Sequence, residues 1–332
     1  MPELETVSPS SSHHFNGQSD KRRPVSRSMF ALKTFVAGGA AGMCAKSSTA
    51  PLDRLKILLQ AQNKYYKNYG VFSGFLAIYK QEGILGYYKG NGAMMVRIFP
   101  YAAIQFAAYE QYKKLLKPYF NQKTHTSKLV SGSLTGMTAV LFTYPLDMVR
   151  ARLAYQVHQK KYNGIWNTLT LIPKQEGGLK ALYRGFSSTI IGMIPYAGTA
   201  FYTYEVLKSF ALDNPLLQPY TSKESFDGSG TMVLNIPTNL CVGGLAGACS
   251  QSVAYPFDVA RRRMQLEGMI SETPVYRSVS ATLSHVYTTL GVRRGLFRGI
   301  SINFYRAVPQ VAVSFSTYEF LKQFLGISRP IS

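Results

Sequence analysis

The sequence predicts an all-α membrane protein: six transmembrane helices in three tandem two-helix repeats with pseudo-threefold symmetry, plus short amphipathic helices on one face. Three observations carry this. A proline–acid–base motif occurs three times, as PLDRLK at 51–56, PLDMVR at 145–150 and PFDVAR at 256–261. Two further blocks recur in step with it: YKG, YRG and FRG at 88–90, 183–185 and 297–299, then YEQYK, YEVLK and YEFLK at 109–113, 204–208 and 318–322. Only 16% of residues are charged, against about 25% in an average soluble domain. The mean hydropathy of −0.04 suits helices with one apolar and one wet face.

A single PLDRLK would mean little. Asp53 and Lys56 share a helix face and could form an exposed pair worth a few tenths of a kcal/mol, with Pro51 as a first-turn proline. Three copies in register make repetition the first fact to read. The aligned acids bring other positions into line. Gly38/Gly42, Gly132/Gly136 and Gly243/Gly247 precede the prolines as GxxxG, a spacing that lets helix backbones approach closely in a membrane. Pro100, Pro195 and Pro309 each fall ten residues before the glutamate of the third block. The predicted spans lie near 31–61 and 90–117, 126–157 and 185–211, 236–267 and 299–325. Their interiors read as apolar enough to cross a bilayer, though broken by Gly, Pro and polar residues. The chain therefore divides into a polar tail (1–30), repeats at 31–120, 124–215 and 236–327, and a linker (216–235).

The 332 residues carry 37 Lys+Arg against 16 Asp+Glu, a net charge of +21. That implies a polyanionic partner, an anionic membrane surface, or both. Residues 1–30 are Ser-rich and read as a disordered tail. Glu3 and Glu5 argue against an acid-poor transit peptide. Cys44, Cys241 and Cys249 form no CxxC pair, so reduced thiols are expected rather than disulfides or a zinc site. No HExxH or GxSxG stands out and the five His do not cluster, so neither metal, cofactor nor enzyme is expected. A basic nucleic-acid-binding module is the reading from a different class, given the charge and 23 Tyr. Against it, the Lys and Arg recur at fixed positions in apolar helices, and no RNA-binding motif appears. Loops inside the repeats (61–90, 155–185, 264–299) hold 13 Lys+Arg, whereas the connectors 114–127 and 209–235 hold four. The positive-inside bias puts both termini on the face opposite the intra-repeat loops.

The triplicated PxDxx[KR], [YF][KR]G and YExxK blocks resemble the mitochondrial carrier family, from about residue 30 to 327. GNGAMMVRIFPYAAIQFAAYE and GMIPYAG most resemble its coenzyme A carrier branch. The resemblance implies a multi-pass inner-membrane protein with both termini facing the intermembrane space. It also implies two charged gates. Asp53 would pair with Arg150, Asp147 with Arg261 and Asp258 with Lys56 in a matrix gate, with Pro51, Pro145 and Pro256 kinking the helices to close it. Gln60 and Gln265 match the family's gate brace, whereas repeat two has Ala154 there. In a cytoplasmic gate Glu110 would pair with Lys208, Glu205 with Lys322 and Glu319 with Lys113, braced by Tyr109, Tyr204 and Tyr318. Breaking one gate while forming the other gives alternating access around a midplane site.

A gate can be threefold symmetric; a metabolite is not. Equivalent positions that differ are candidates for substrate contact. Thirteen before each gate glutamate stand Arg97, Gly192 and Arg306; seven before each gate aspartate stand Lys46, Val140 and Gln251. Lys46 lies two turns before Asp53 and shares its face. Periodicity does not put Arg97 in a cavity; the resemblance does, giving contact points at Arg97, Gly192–Met193 and Arg306, with Lys46 added. Arginine forks suit phosphates, although helix-end snorkelling is the alternative for both. Gly192 beside Met193 could receive a flat ring, or serve helix packing. The partners implied are a phosphorylated adenine-containing substrate and an anionic lipid such as cardiolipin, with no nucleic acid and a functional monomer. RRRMQL at 261–266 differs from the ADP/ATP carrier's RRRMMM, and no EF-hand loop precedes residue 30. Coenzyme A, or a close derivative such as adenosine 3′,5′-diphosphate, is the expected cargo; ATP/ADP is the alternative.

Overall fold

The structure, a computed structural model, describes residues 27–118, 125–158, 161–214, 218–224, 232–270, 276 and 278–326. Most of the expected tail and part of the linker lie outside them. Residues 27–30, assigned to the tail, form the first turn of the first helix.

Each repeat is a long helix, a short helix and a second long helix. Repeat one has α1 (Arg27–Gln60), α2 (Val71–Gly86) and α3 (Asn91–Leu116); repeat two has α4 (His125–Tyr155), α5 (Gly164–Glu176) and α6 (Phe186–Asp213). After the short α7 (Gln218–Thr221) come β1 (Ser222–Glu224) and β2 (Met232–Leu234), an antiparallel ribbon with Lys223 opposite Val233. This ribbon is the one departure from the all-α expectation among the described residues. Repeat three has α8 (Ile236–Gln265), the short α9 (Glu267–Ile270), α10 (Val279–Gly291) and α11 (Ile300–Phe324). The caps follow local chemistry. The Asn235 side chain accepts from the Thr238 N–H (3.0 Å) with Pro237 in the first turn of α8, and Ser278 accepts from the Ala281 N–H (3.2 Å) at α10.

The main interhelical packings are α3 on α4, α6 on α8 and α11 on α1, which close the chain's last helix onto its first. The three leading helices α1, α4 and α8 also touch one another. Among the described residues, no helix contains a window long and apolar enough to cross a membrane by mean hydropathy, a measure that averages over all sides of a helix. The physical reason is division of labour around each helix. Charged groups line one side, while exposed Phe106, Phe142, Ile194, Leu240 and Phe315 stud the same helices elsewhere, so the average is diluted.

The GxxxG expectation also fails in detail. Open space surrounds Gly38, Gly132, Gly243 and Gly247, Gly42 has only ordinary contact, and Gly136 meets the flexible end of Met193. The close backbone approaches belong to the [YF][KR]G glycines. Gly90 and Gly185 both have φ +83°, and a Cβ there would lie 2.8 Å from the Arg150 carbonyl and 2.9 Å from the Arg261 carbonyl. Only glycine fits such a site. Each caps the second long helix of its repeat against the base of the next repeat's leading helix.

Buried ion pairs dock the short helices. Arg54 donates to both Glu82 oxygens (2.7 and 2.8 Å) and to the Ala154 carbonyl (3.1 Å). Glu82 also receives the Tyr66 hydroxyl (2.9 Å) and Lys89. Burial pushes the Glu82 carboxyl up, but Lys89 and Arg54 outweigh it and hold the group below the usual range. In repeat two, Arg152 grips Glu176 through two bonds (2.8 and 2.7 Å). In repeat three, Leu290 stands where the Glu-Gly end of the helix supplies the acid. Arg263 there is buried, reaches the Tyr276 hydroxyl (3.2 Å), and leaves Nε and Nη2 without a partner among the described residues.

Candidate functional site

Where α1, α4 and α8 converge, their charges form the floor of a cavity of about 260 Å³. The sequence dictates this locally. Each motif puts an acid two residues after a proline and a base three residues later, on one helix face. Three such faces turned to one axis interleave acids and bases. Arg150 Nη2 donates to Asp53 Oδ2 (2.7 Å), Arg261 Nη2 to Asp147 Oδ2 (2.7 Å) and Lys56 Nζ to Asp258 Oδ2 (3.3 Å). Each bond joins two different repeats. Pro51, Pro145 and Pro256 lie inside helices that continue through them.

The three joints are unequal. The Asp147 side chain is 2% exposed and the Asp258 side chain 42%. Asp147 also receives Gln265 Nε2 (2.9 Å), Arg97 Nη1 (3.1 Å) and Arg262 Nη1 (3.1 Å). Gln265 therefore braces the α4–α8 joint. Gln60, its counterpart, is buried and makes no hydrogen bond among the described residues. Ala154 supplies only its carbonyl, to Arg54.

Of the symmetry-breaking residues, Lys46, Arg97 and Arg306 all line this cavity. Lys46 donates to Gln310 Oε1 (3.1 Å), Arg306 to Asp53 Oδ1 (2.5 Å), and Arg97 Nε to Thr143 Oγ1 (3.3 Å). Arg97 also lies over the Tyr101 ring, 5.3 Å from its centre. Gly192 and Met193 do not join them. Gly192 is buried against Phe257 of α8, where a Cβ would come within 2.9 Å of the Phe257 Cβ. Met193 leans on Gly136 of α4. The wall anticipated for a flat ring is filled by Phe257, so packing is the reading that holds.

At the opposite end the expected cross-helix pairs Glu110–Lys208, Glu205–Lys322 and Glu319–Lys113 are absent among the described residues. Glu205 and Lys208 pair within α6 (3.9 Å), and Glu319 and Lys322 within α11 (3.3 Å). Tyr204 donates to Asn239 Oδ1 (2.8 Å), and Tyr109 is exposed.

Arg262 escaped the sequence reading. It bonds Asp147 and Gln265 Oε1 (2.7 Å) on the cavity floor. The signal was present: four residues after Asp53, Asp147 and Asp258 stand Ile57, Ala151 and Arg262.

A closed ring of three helix pairs around a charged, internally lined cavity defines a solute carrier built from three repeats. The chain belongs to the mitochondrial carrier family: the family model described as "Mitochondrial carrier protein" matches it at residues 27–120, 121–215 and 233–329. Its place is the mitochondrial inner membrane. It is similar to Solute carrier family 25 member 16 of Homo sapiens, 49% identical over 304 residues covering 91% of each chain. It is 40% identical over 307 residues to Mitochondrial coenzyme A transporter SLC25A42 of Xenopus laevis, covering 91% of this chain and 88% of the relative. Mitochondrial carrier protein CoAc1 of Zea mays is 39% identical over 316 residues, covering 89% and 87%.

Proposed function

We propose that the protein carries coenzyme A, or a close adenine-nucleotide derivative such as adenosine 3′,5′-diphosphate, by alternating access between two charged gates. One observation carries the reading: Lys46, Arg97 and Arg306 face the central cavity in addition to the cations of the ring. Unlike the ring, they are not threefold symmetric. Arginine forks and an ammonium group suit phosphate oxygens. The similarity to a coenzyme A transporter supports the same substrate.

In this reading the ring of Asp53, Lys56, Asp147, Arg150, Asp258 and Arg261 is the matrix gate, bent closed at Pro51, Pro145 and Pro256. Gln265 is its working brace. Glu110, Lys113, Glu205, Lys208, Glu319 and Lys322 make the cytoplasmic gate in the alternate state, with Tyr109, Tyr204 and Tyr318. Each pair must be moderate in net energy, because desolvation offsets most of a buried pair's attraction. Both termini face the intermembrane space, the three repeats (31–120, 124–215, 236–327) form one pathway, and one chain suffices. The basic matrix face meets anionic lipid such as cardiolipin, and the protein does no chemistry on its cargo.

Proteoliposomes loaded with adenosine 3′,5′-diphosphate and offered labelled coenzyme A, ADP and ATP in parallel test this. Uptake of coenzyme A is expected. Uptake of ADP or ATP without coenzyme A would keep the carrier and overturn the substrate.

A further inference from the structure

The floor holds more cation than a neutral gate needs. Asp53, Asp147 and Asp258 face seven Lys and Arg lining one cavity. Lys56, Arg150 and Arg261 make the joints between repeats. Lys46, Arg97, Arg262 and Arg306 are the surplus, four positive charges.

That surplus is sorted into two pairs. Arg306 bonds Asp53, and Lys46 bonds Gln310, one turn after Arg306 on α11. These two cations share the α1–α11 wall. Arg97 and Arg262 reach Asp147 from different sides, at Oδ1 and Oδ2, each at 3.1 Å. Asp258 has only its joint with Lys56 among the ion pairs of the described residues.

We propose that Arg262 is a substrate-binding residue, and that the two cation pairs receive two separate phosphate centres of one ligand. The inference rests on the reading that the cavity takes a phosphorylated adenine compound. A 3′-phosphate and a 5′-pyrophosphate on one nucleoside carry about −2 each near neutral pH. They therefore match the surplus in amount and in division. A 5′-triphosphate brings a similar total of about −4, but along one unbranched chain. The competing role for Arg262 is a strut of the gate, since it also holds Gln265. The ring's own pairs occur in all three repeats, whereas Ile57 and Ala151 stand at the equivalent positions. A cation present once is matched to an asymmetric ligand. Release of Arg97 and Arg262 to a phosphate also removes two of the four donors that hold Asp147, so binding loosens the α4–α8 joint.

The test is uptake by proteoliposomes of the full chain, with labelled coenzyme A, dephospho-coenzyme A, adenosine 3′,5′-diphosphate, ADP and ATP. The parent is expected to favour the compounds with two phosphate centres over dephospho-coenzyme A and ATP. With the Arg97–Arg262 pair taking the 3′-phosphate, the group that dephospho-coenzyme A lacks, Arg262→Gln should cut the ratio of coenzyme A to dephospho-coenzyme A uptake about tenfold, the scale of one charge-assisted phosphate contact, and Arg262→Lys should restore part of it. A strut would lower every compound in proportion and leave the ratios unmoved, which overturns the proposal. Should Arg262→Gln fail to fold, ligand protection of the parent against heat decides. Protection by ATP equal to that by adenosine 3′,5′-diphosphate sinks the two-centre site. A parent that transports coenzyme A with ratios insensitive to Arg262 refutes this inference alone. A parent that neither transports nor is protected by any adenine compound refutes the underlying reading as well.

Discussion

Neutralising one acid of the charged ring should cost more than neutralising another, although the motif treats them alike. Asp147 is 2% exposed in its side chain and accepts from Arg97, Arg261, Arg262 and Gln265. Asp147→Asn leaves three guanidinium groups facing an uncharged amide. Removing one partner from a buried ion pair costs about 3–5 kcal/mol. In a chain of this size that lowers the unfolding midpoint by on the order of 10 °C. The Asp258 side chain is 42% exposed and holds Lys56 at 3.3 Å. One longer bond, to a Lys56 side chain that is itself 11% exposed, is a smaller loss than three guanidinium contacts, so Asp258→Asn should move the midpoint by about half as much. Helical circular dichroism of the detergent-purified variants is the suitable assay. Thiol dyes are not, because Cys44, Cys241 and Cys249 are all exposed before unfolding. Equal shifts for the two variants, or a larger one for Asp258→Asn, would refute the argument that the α4–α8 joint is the strongest of the ring.

Glu82→Gln strips a buried acid from Arg54, Lys89 and Tyr66, so a thermal shift comparable to that of Asp147→Asn is expected. The control Glu319→Gln, which loses only an exposed pair within α11, should shift little. Because the Glu82 carboxyl is held below its ordinary range, its stabilisation is present above about pH 4.3 and fades as pH falls through its lowered pKa. The parent should therefore lose more stability on acidification through that window than Glu82→Gln, as midpoints across a pH series will register. Gly185→Ala forces a Cβ against the Arg261 carbonyl at positive φ. It should destabilise by about 1–3 kcal/mol, whereas Gly243→Ala, with open space around it, should be near neutral in the same melt.

The ring at the floor was legible in the sequence because its cause is local. A proline, an acid two residues on and a base three further fix a helix face, and three copies fix its counterparts. The [YF][KR]G blocks were legible as repeats, but the need for glycine was not, since it arises from carbonyls at Arg150 and Arg261, in other repeats. GxxxG misled because spacing offers close approach without supplying a neighbour. Gly192 misled for the opposite reason: Phe257, 65 positions later in the numbering, fills its free face. The Arg54–Glu82 and Arg152–Glu176 locks were invisible to alignment because the bases stand at different offsets, one and five residues past the gate acid. Arg262 was hidden inside RRR, where only comparison with Ile57 and Ala151 singles it out.

The central claim is that the charged floor and the YExxK ends close in turn. Cross-linking tests it most directly, in a chain whose Cys44, Cys241 and Cys249 are replaced by serine and which carries Glu110→Cys with Lys208→Cys. Two cysteines bridge only when their Cα atoms come within about 7 Å, so oxidation reports convergence of α3 and α6. The account predicts little cross-linking without substrate, a marked rise with coenzyme A on both sides of the liposome, and uptake stopped by the bridge and restored by reductant. Complete cross-linking without any substrate, or undiminished transport by the bridged protein, would contradict it.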